Sequence, residues 1–200
     1  MPGTYDKNKF DLAGFAIGVV EKKFLLTKNK IKNHDIVLAI PSSGLHSNGF
    51  SLVRHILKKK NIKSKKFLSL DIKNELLKPT KIYVKEIINL NKKQLINGCA
   101  NITGGGIINN LIRVIPKNLC LNVNLDKIKT NKVFRWLKKN NINDTEMINT
   151  FNCGVGFCII AKKKNLKKIK NFFSKKYQPY KIGYISKDKR TFKTFGKIQW

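Results

Sequence analysis

Between Pro41 and Arg54 the chain reads PSSGLHSNGFSLVR, a stretch that concentrates residue types able to bind an anion. An apolar run, Asp35–Ile40, feeds a turn holding Ser42, Ser43, Gly44, His46, Ser47 and Asn48, and a helical pattern opens at Asn48. A strand that passes through a small polar turn into a helix start leaves backbone N–H groups unpaired beside the positive end of the helix dipole. His46 and Asn48 add side-chain donors at the same place. A helix cap would need one polar residue, and this loop carries five. The chemistry indicated is the binding of a phosphate-bearing ligand.

Two further segments share that design. Asn101-Ile-Thr-Gly-Gly-Gly106 places three glycines before a helix, a costly choice unless the backbone approaches a ligand closely or takes positive φ. Thr150-Phe-Asn-Cys-Gly-Val-Gly156 carries a GxG with no third glycine, so it is not a dinucleotide fingerprint, and no Walker A pattern occurs. Close strand packing explains those glycines, and Asn152 is the polar residue of interest among them. There is no HExxH, no GxSxG elbow and no metal-spaced His/Cys cluster, so no metal ligands are expected in this chain. Asp11 opens an apolar segment and reads either as a ligand or as a strand cap. His34, His55 and Glu146 read as structural or solvated.

The elements that must position these residues alternate between strand and helix patterns. Strands are expected at Asp11–Glu21, Asp35–Ile40, Cys99–Thr103, Leu119–Leu125, Gly154–Ala161, Tyr180–Ile185 and Thr191–Ile198. Helices are expected at Asn48–Lys60, Thr80–Leu90, Ile107–Ile115, Val133–Lys139, Asp144–Thr150 and Lys164–Lys175. In the first of these, Phe50, Val53, Ile56 and Leu57 share a face; in the second, Ile82, Val84, Ile87 and Ile88 are the apolar set. The alternation predicts an α/β (α+β layered) fold, a mixed sheet covered by helices. Asp11–Glu21 stands apart, because a lone strand cannot bury both faces and must pair with something.

Two hundred residues, 42% hydrophobic, suffice for one sizeable core. The longest apolar run, Leu12–Val20, is too short to span a bilayer, and no apolar leader is visible at the start. Four cysteines without a CxxC pair read as reduced, buried thiols of a cytoplasmic protein. The net charge is +31, yet only four of the 42 basic residues are arginine, the residue preferred for bidentate recognition of phosphates and bases. Lys, Asn and Ile account for 86 of the 200 residues, as an A/T-rich genome would produce. No specific nucleic-acid or membrane partner is therefore expected, although so basic a chain attracts polyanions incidentally.

Taken in order, Asp11-Leu-Ala-Gly-Phe15 with Gly18-Val-Val-Glu21, Ser42 to Arg54, Leu77-Lys-Pro-Thr-Lys-Ile-Tyr83, Thr103-Gly-Gly-Gly106, Glu146-Met147, Thr150 to Gly156 and Lys181-Ile-Gly183 resemble the phosphoribosylformylglycinamidine cyclo-ligase (aminoimidazole ribonucleotide synthetase) family. The resemblance covers nearly the whole chain. It departs at Asn101, where the family commonly has His, at Lys81, where it has Arg, and at Asn149, where Arg is frequent; a lost Arg weakens a bidentate anion contact.

The resemblance implies that residues 25–200 are the family's C-terminal α/β domain. Residues 1–24 would be the last strand of an otherwise missing N-terminal domain that holds most ligands for ATP and Mg2+ and forms the homodimer core. It implies ATP-dependent cyclisation of formylglycinamidine ribonucleotide to aminoimidazole ribonucleotide in de novo purine synthesis. His46 and Asn48 would be catalytic. Ser43, Gly44, Ser47, Thr103, Gly104, Gly105, Gly106, Asn152 and Asp11 would hold substrate or phosphate. The fragment alone would be inactive without the other half. The alternatives are a neighbouring synthetase or kinase class, or a remnant that has lost catalysis.

Overall fold

The computed structural model describes residues 14–59 and 70–200, so Asp11 lies outside the described residues. Six strands, β1 (Ile36–Pro41), β2 (Gly98–Asn101), β3 (Cys120–Asn124), β4 (Val155–Ala161), β5 (Tyr180–Ser186) and β6 (Phe192–Phe195), form one sheet in the order β2-β4-β1-β5-β3-β6. All neighbours run antiparallel except β3 and β6. Seven described helices accompany it: α1 (Phe50–Lys59), α2 (Leu70–Leu77), α3 (Val84–Lys92), α4 (Gly106–Ile112), α5 (Lys132–Lys138), α6 (Asp144–Thr150) and α7 (Leu166–Lys170). This is the expected mixed α/β architecture.

β1 shows why the sheet is covered on both sides. Its residues are almost wholly apolar and buried, the pattern of a strand with helices on each face. Val37 and Ala39 join one core with α1, α4, α5 and α6; Ile36, Leu38 and Ile40 join a second with α3 and α7. The central position of β1, between β4 and β5, fixes its C-terminal end. The ligand-suited loop 42–49 leaves from that end.

Four local expectations change. Residues 14–20 form no strand, and Phe15, Ile17 and Val19 are 92%, 89% and 100% exposed. The sheet ends at β2 and β6, and this segment pairs with neither edge. The helix expected from Thr80 starts at Val84, because the stretch before it is engaged elsewhere: the Tyr83 hydroxyl donates to the Pro41 carbonyl at 2.8 Å. Its expected apolar face is largely outward, with Ile82, Val84 and Ile88 exposed while Tyr83 and Leu90 are buried.

The basic helix expected over Lys164–Lys175 shortens to the five residues of α7, framed by 3-10 turns. No acid lies between Glu146 and Asp188 to relieve its lysines, and like charges one turn apart destabilise a helix. Finally, α2 has no counterpart among the expected elements. The cysteines are free, with Cys120, Cys153 and Cys158 buried and Cys99 partly exposed.

Candidate functional site

Loop 42–49 is held from beneath by its neighbours. The Ser42 N–H donates to the Gly154 carbonyl at 2.8 Å, and the Asn131 amide donates to the Ser42 carbonyl at 3.2 Å. Asn152 is fully buried. Its Nδ2 donates to the Gly44 carbonyl at 2.9 Å and its Oδ1 accepts the Gly154 N–H at 2.9 Å. It is thus a brace between two loops, with both ends of its amide already used. Ser43 Oγ donates to the Pro79 carbonyl at 2.7 Å and accepts the Lys81 N–H at 3.1 Å, which ties in the segment ahead of α3.

His46 is buried at 6% exposure. Its Nε2 accepts the Ser43 N–H at 3.0 Å, with Ser43 Oγ 2.9 Å away, so the ring proton belongs on Nδ1. The ring packs 6.0 Å from that of Tyr83. Gly156 runs beneath both, where a β-carbon would overlap the Tyr83 hydroxyl and the His46 ring. Burial lowers the His46 pKa to about 4. The ordinary value that suits proton exchange near neutrality is therefore corrected: this imidazole is neutral at pH 7 and acts as an acceptor inside the loop.

Beyond His46 the backbone turns sharply. His46 and Ser47 have φ of 55° and 59°, a pair of left-handed non-glycine residues that is costly unless its surroundings impose it. The imposed turn exposes Ser47 and leaves Asn48 half-buried. The Asn48 amide donates back to the His46 carbonyl at 2.8 Å, so the side-chain donor expected at this position is used within the loop. Gly49 follows at φ 74°, against the Phe151 ring. α1 starts one residue later, and the first N–H groups of a helix have no acceptor within it.

The TGGG turn meets it there. A β-carbon on Gly104 would lie 3.6 Å from Asn48 Oδ1. Thr103 and Gly104 are exposed, whereas Gly105 is half-buried at φ 93° and Gly106 is buried at φ 68° against the Ile148 carbonyl. Asn110, a residue not singled out from the sequence, organises this turn. Buried at 6% exposure, its Nδ2 donates to the carbonyls of Gly106 at 2.7 Å and of Thr103 and Gly104 at 3.3 Å. Its Oδ1 accepts the Thr103 hydroxyl at 3.2 Å. Carbonyls are thereby drawn inward, and the N–H groups of Gly104 and Gly105, like that of Ser47, meet no acceptor among the described residues. The available signal was an asparagine one helical turn past the last glycine.

The structure thus brings Asn48 beside Gly104, so that Ser47 and the Thr103–Gly105 turn, their neighbours in sequence, flank one open corner with backbone N–H groups as its donors. Ser43, Gly44, His46, Gly106 and Asn152 lie behind it as support. Lys81 is turned away, its Nζ 3.0 Å from Glu86 and 5.0 and 4.7 Å from the rings of Tyr83 and Tyr177. Asn101 and Asn149 are exposed. Among the described residues no group of three or more His, Cys, Asp or Glu side chains could hold a metal ion, and no helix is long and apolar enough to cross a membrane.

Comparison with known proteins shows the family of the chain. The family described as AIR synthase related protein, C-terminal domain, matches residues 32–195. Phosphoribosylformylglycinamidine cyclo-ligase of Acetivibrio thermocellus is 41% identical over 94% of this chain and 57% of the relative. That of Lactobacillus helveticus is 40% identical over 94% and 56%. The chain therefore spans a little over half the length of these relatives. Among solved structures, thiamine-monophosphate kinase from Stenotrophomonas maltophilia superposes with a TM-score of 0.60 at 14% identity, over 87% of this chain and 54% of that one. Phosphoribosylformylglycinamidine synthase II from Thermotoga maritima does so with 0.54 at 12%, over 85% and 25%. At such identities these structures share the fold alone.

Proposed function

The chain belongs to the AIR synthase related protein family through its C-terminal domain, and from that premise we propose that it forms one wall of the cleft in which formylglycinamidine ribonucleotide is closed to aminoimidazole ribonucleotide. The observation that carries this reading is the open corner between Ser47–Asn48 and Thr103–Gly105, where exposed residues present N–H groups without acceptors. Such a corner suits a phosphate or an oxyanion formed during reaction.

In the proposed chemistry ATP phosphorylates the formyl amide oxygen. The amidine nitrogen then attacks the activated carbon, and the oxygen leaves with the phosphate, giving the imidazole, ADP and inorganic phosphate. The work required of the protein is positioning and charge stabilisation. Asn48 and Thr103 would contact substrate, and the backbone of Ser47, Gly104 and Gly105 would face its anionic group. Ser43, Gly44, His46, Gly106 and Asn152 would hold that wall in shape. The corner offers donors and no carboxylate, so it does not fit a magnesium ion. ATP and Mg2+ ligands would come from the half of the family fold that residues 25–200 do not supply, together with the homodimer contacts, in a cytoplasmic enzyme. Residues 1–24 would be that half's last strand, in keeping with the unpaired, exposed apolar side chains at 15, 17 and 19.

The test combines the purified chain with the separately expressed N-terminal half of the Acetivibrio thermocellus relative, ATP, Mg2+ and formylglycinamidine ribonucleotide. Aminoimidazole ribonucleotide formation by the mixture, absent with either part alone, is expected. Turnover by this chain alone overturns the need for a second half. No turnover in the mixture, with both parts folded and bound to each other, assigns the chain to the catalytically inactive remnants.

A further inference from the structure

A second concave site lies along α1, away from the corner just described. It encloses about 500 Å³ between α1 and the α5–α6 turn, within the range of small-molecule pockets. Leu52, Ile56 and Ile142 give it an apolar lining, and Ile56 and Ile142 belong to the buried core. Around that lining stand His55, Lys59 and Lys139, all exposed, with Glu146 as the one carboxylate. None of these residues takes part in the corner at Asn48 and Gly104.

The shape of the turn separates this cleft from an ordinary lysine-covered surface. Asn141, on its rim, is a non-glycine residue at φ 63°, so the turn that shapes the cleft is held in a backbone conformation side chains rarely adopt. Its neighbour Asn140 donates Nδ2 to the Trp136 carbonyl at 2.7 Å, which ties the turn to the end of α5.

From the apolar lining and the cationic side chains together, we infer that this cleft is a second ligand site, for a small anion with a compact apolar body. A bare inorganic anion would leave the apolar lining wet, and a neutral apolar compound would leave the cations unmatched. An aryl phosphate or aryl carboxylate meets both. This assignment is independent of the reaction proposed above.

The test titrates phenyl phosphate into the 15N-labelled chain at physiological salt, with inorganic phosphate in parallel. Saturable shifts confined to the amides around His55, Asn140 and Asn141 are expected, with inorganic phosphate at least tenfold weaker. The exposed pair Lys59→Glu/Lys139→Glu should weaken phenyl phosphate at least tenfold. The pair Lys163→Glu/Lys167→Glu, which changes net charge equally elsewhere, should leave it within twofold. Equal binding of inorganic phosphate, equal loss in both pairs, unchanged binding in the first pair, or shifts spread over many lysine-rich surfaces would each reduce the effect to general charge attraction and overturn the site.

Discussion

Acidification is the most direct perturbation of the candidate site, because one buried group should dominate the response above pH 4.5. An unfolded histidine takes its proton near pH 6.5, whereas burial holds His46 down to about 4. Between those values the unfolded chain binds one more proton than the folded one, so stability rises with pH and is lost as pH falls through that window. At about 1.4 kcal/mol per pH unit the full span would amount to about 3 kcal/mol, and solvent reaching the loop past Ser47 screens it to about 2 kcal/mol. The carboxylates held low titrate beneath the window. Asp188 is lowered to about 2 by its hydrogen bond from Lys193, and Asp144 is lowered by its hydrogen bond from Lys138.

The assay is urea unfolding followed by circular dichroism at pH 7.0 and 4.5, at fixed ionic strength, for the wild type and His46→Gln. Glutamine can still accept the Ser43 N–H and does not titrate. The wild type should lose about 2 kcal/mol more than the variant on acidification. Parallel losses in the two proteins would refute the reasoning, since they would mean that His46 is solvated or already protonated in the folded loop.

Four further outcomes follow from the same contacts. Asn152→Ala strands the Gly44 carbonyl and the Gly154 N–H in a buried place and should cost about 2–5 kcal/mol by urea unfolding. Asn110→Ala should cost about 2–4 kcal/mol and speed exchange of the Gly106 amide, which donates to the Thr103 carbonyl, whereas Asn110→Asp, which removes the donor, should perturb that turn nearly as much. Gly49→Ala forces a β-carbon against the Phe151 ring at φ 74° and should destabilise by more than about 2 kcal/mol. A thiol reagent should label at most Cys99 in the folded chain and all four cysteines in urea, because the other three are buried and burial raises the thiols of Cys153 and Cys158 as well.

The sheet was legible in the sequence because strands such as 36–41 and 155–161 are long apolar runs bounded by turn residues, and burial on both faces leaves such runs little freedom. The corner was legible for a related reason: Ser, Gly, Asn and His in a short turn have few other uses. What stayed hidden depended on distance. Nothing local says that Ser43 will engage Pro79 and Lys81, 36 and 38 residues away, or that Tyr83 will reach Pro41, yet these contacts engage the stretch ahead of α3, which starts at Val84. Asn110 was missed because an asparagine inside an apolar helix reads as a weak helix former. Its value comes from three carbonyls presented by a turn that only the fold assembles. His46 was seen as a chemical group and placed as one, whereas its burial, invisible in a sequence, makes it a neutral acceptor.

The division between an exposed corner and a buried support bears on what the chain can do without a partner. His46 and Ser47 hold left-handed backbone, and that cost is met by protein contacts alone: Ser43 onto the His46 ring, Asn48 onto the His46 carbonyl, Asn152 onto Gly44 and Asn110 onto the TGGG turn. None of these contacts needs a ligand. The corner is therefore organised before anything binds, so little ordering cost remains for binding itself. A failure of the isolated chain to turn over substrate would then reflect groups it does not contain, and not a collapsed wall. Preorganisation also makes the corner separable from catalysis, because a folded chain that is inactive alone should keep the same exchange protection of the Gly106 amide, bonded to the Thr103 carbonyl, when a second half is added.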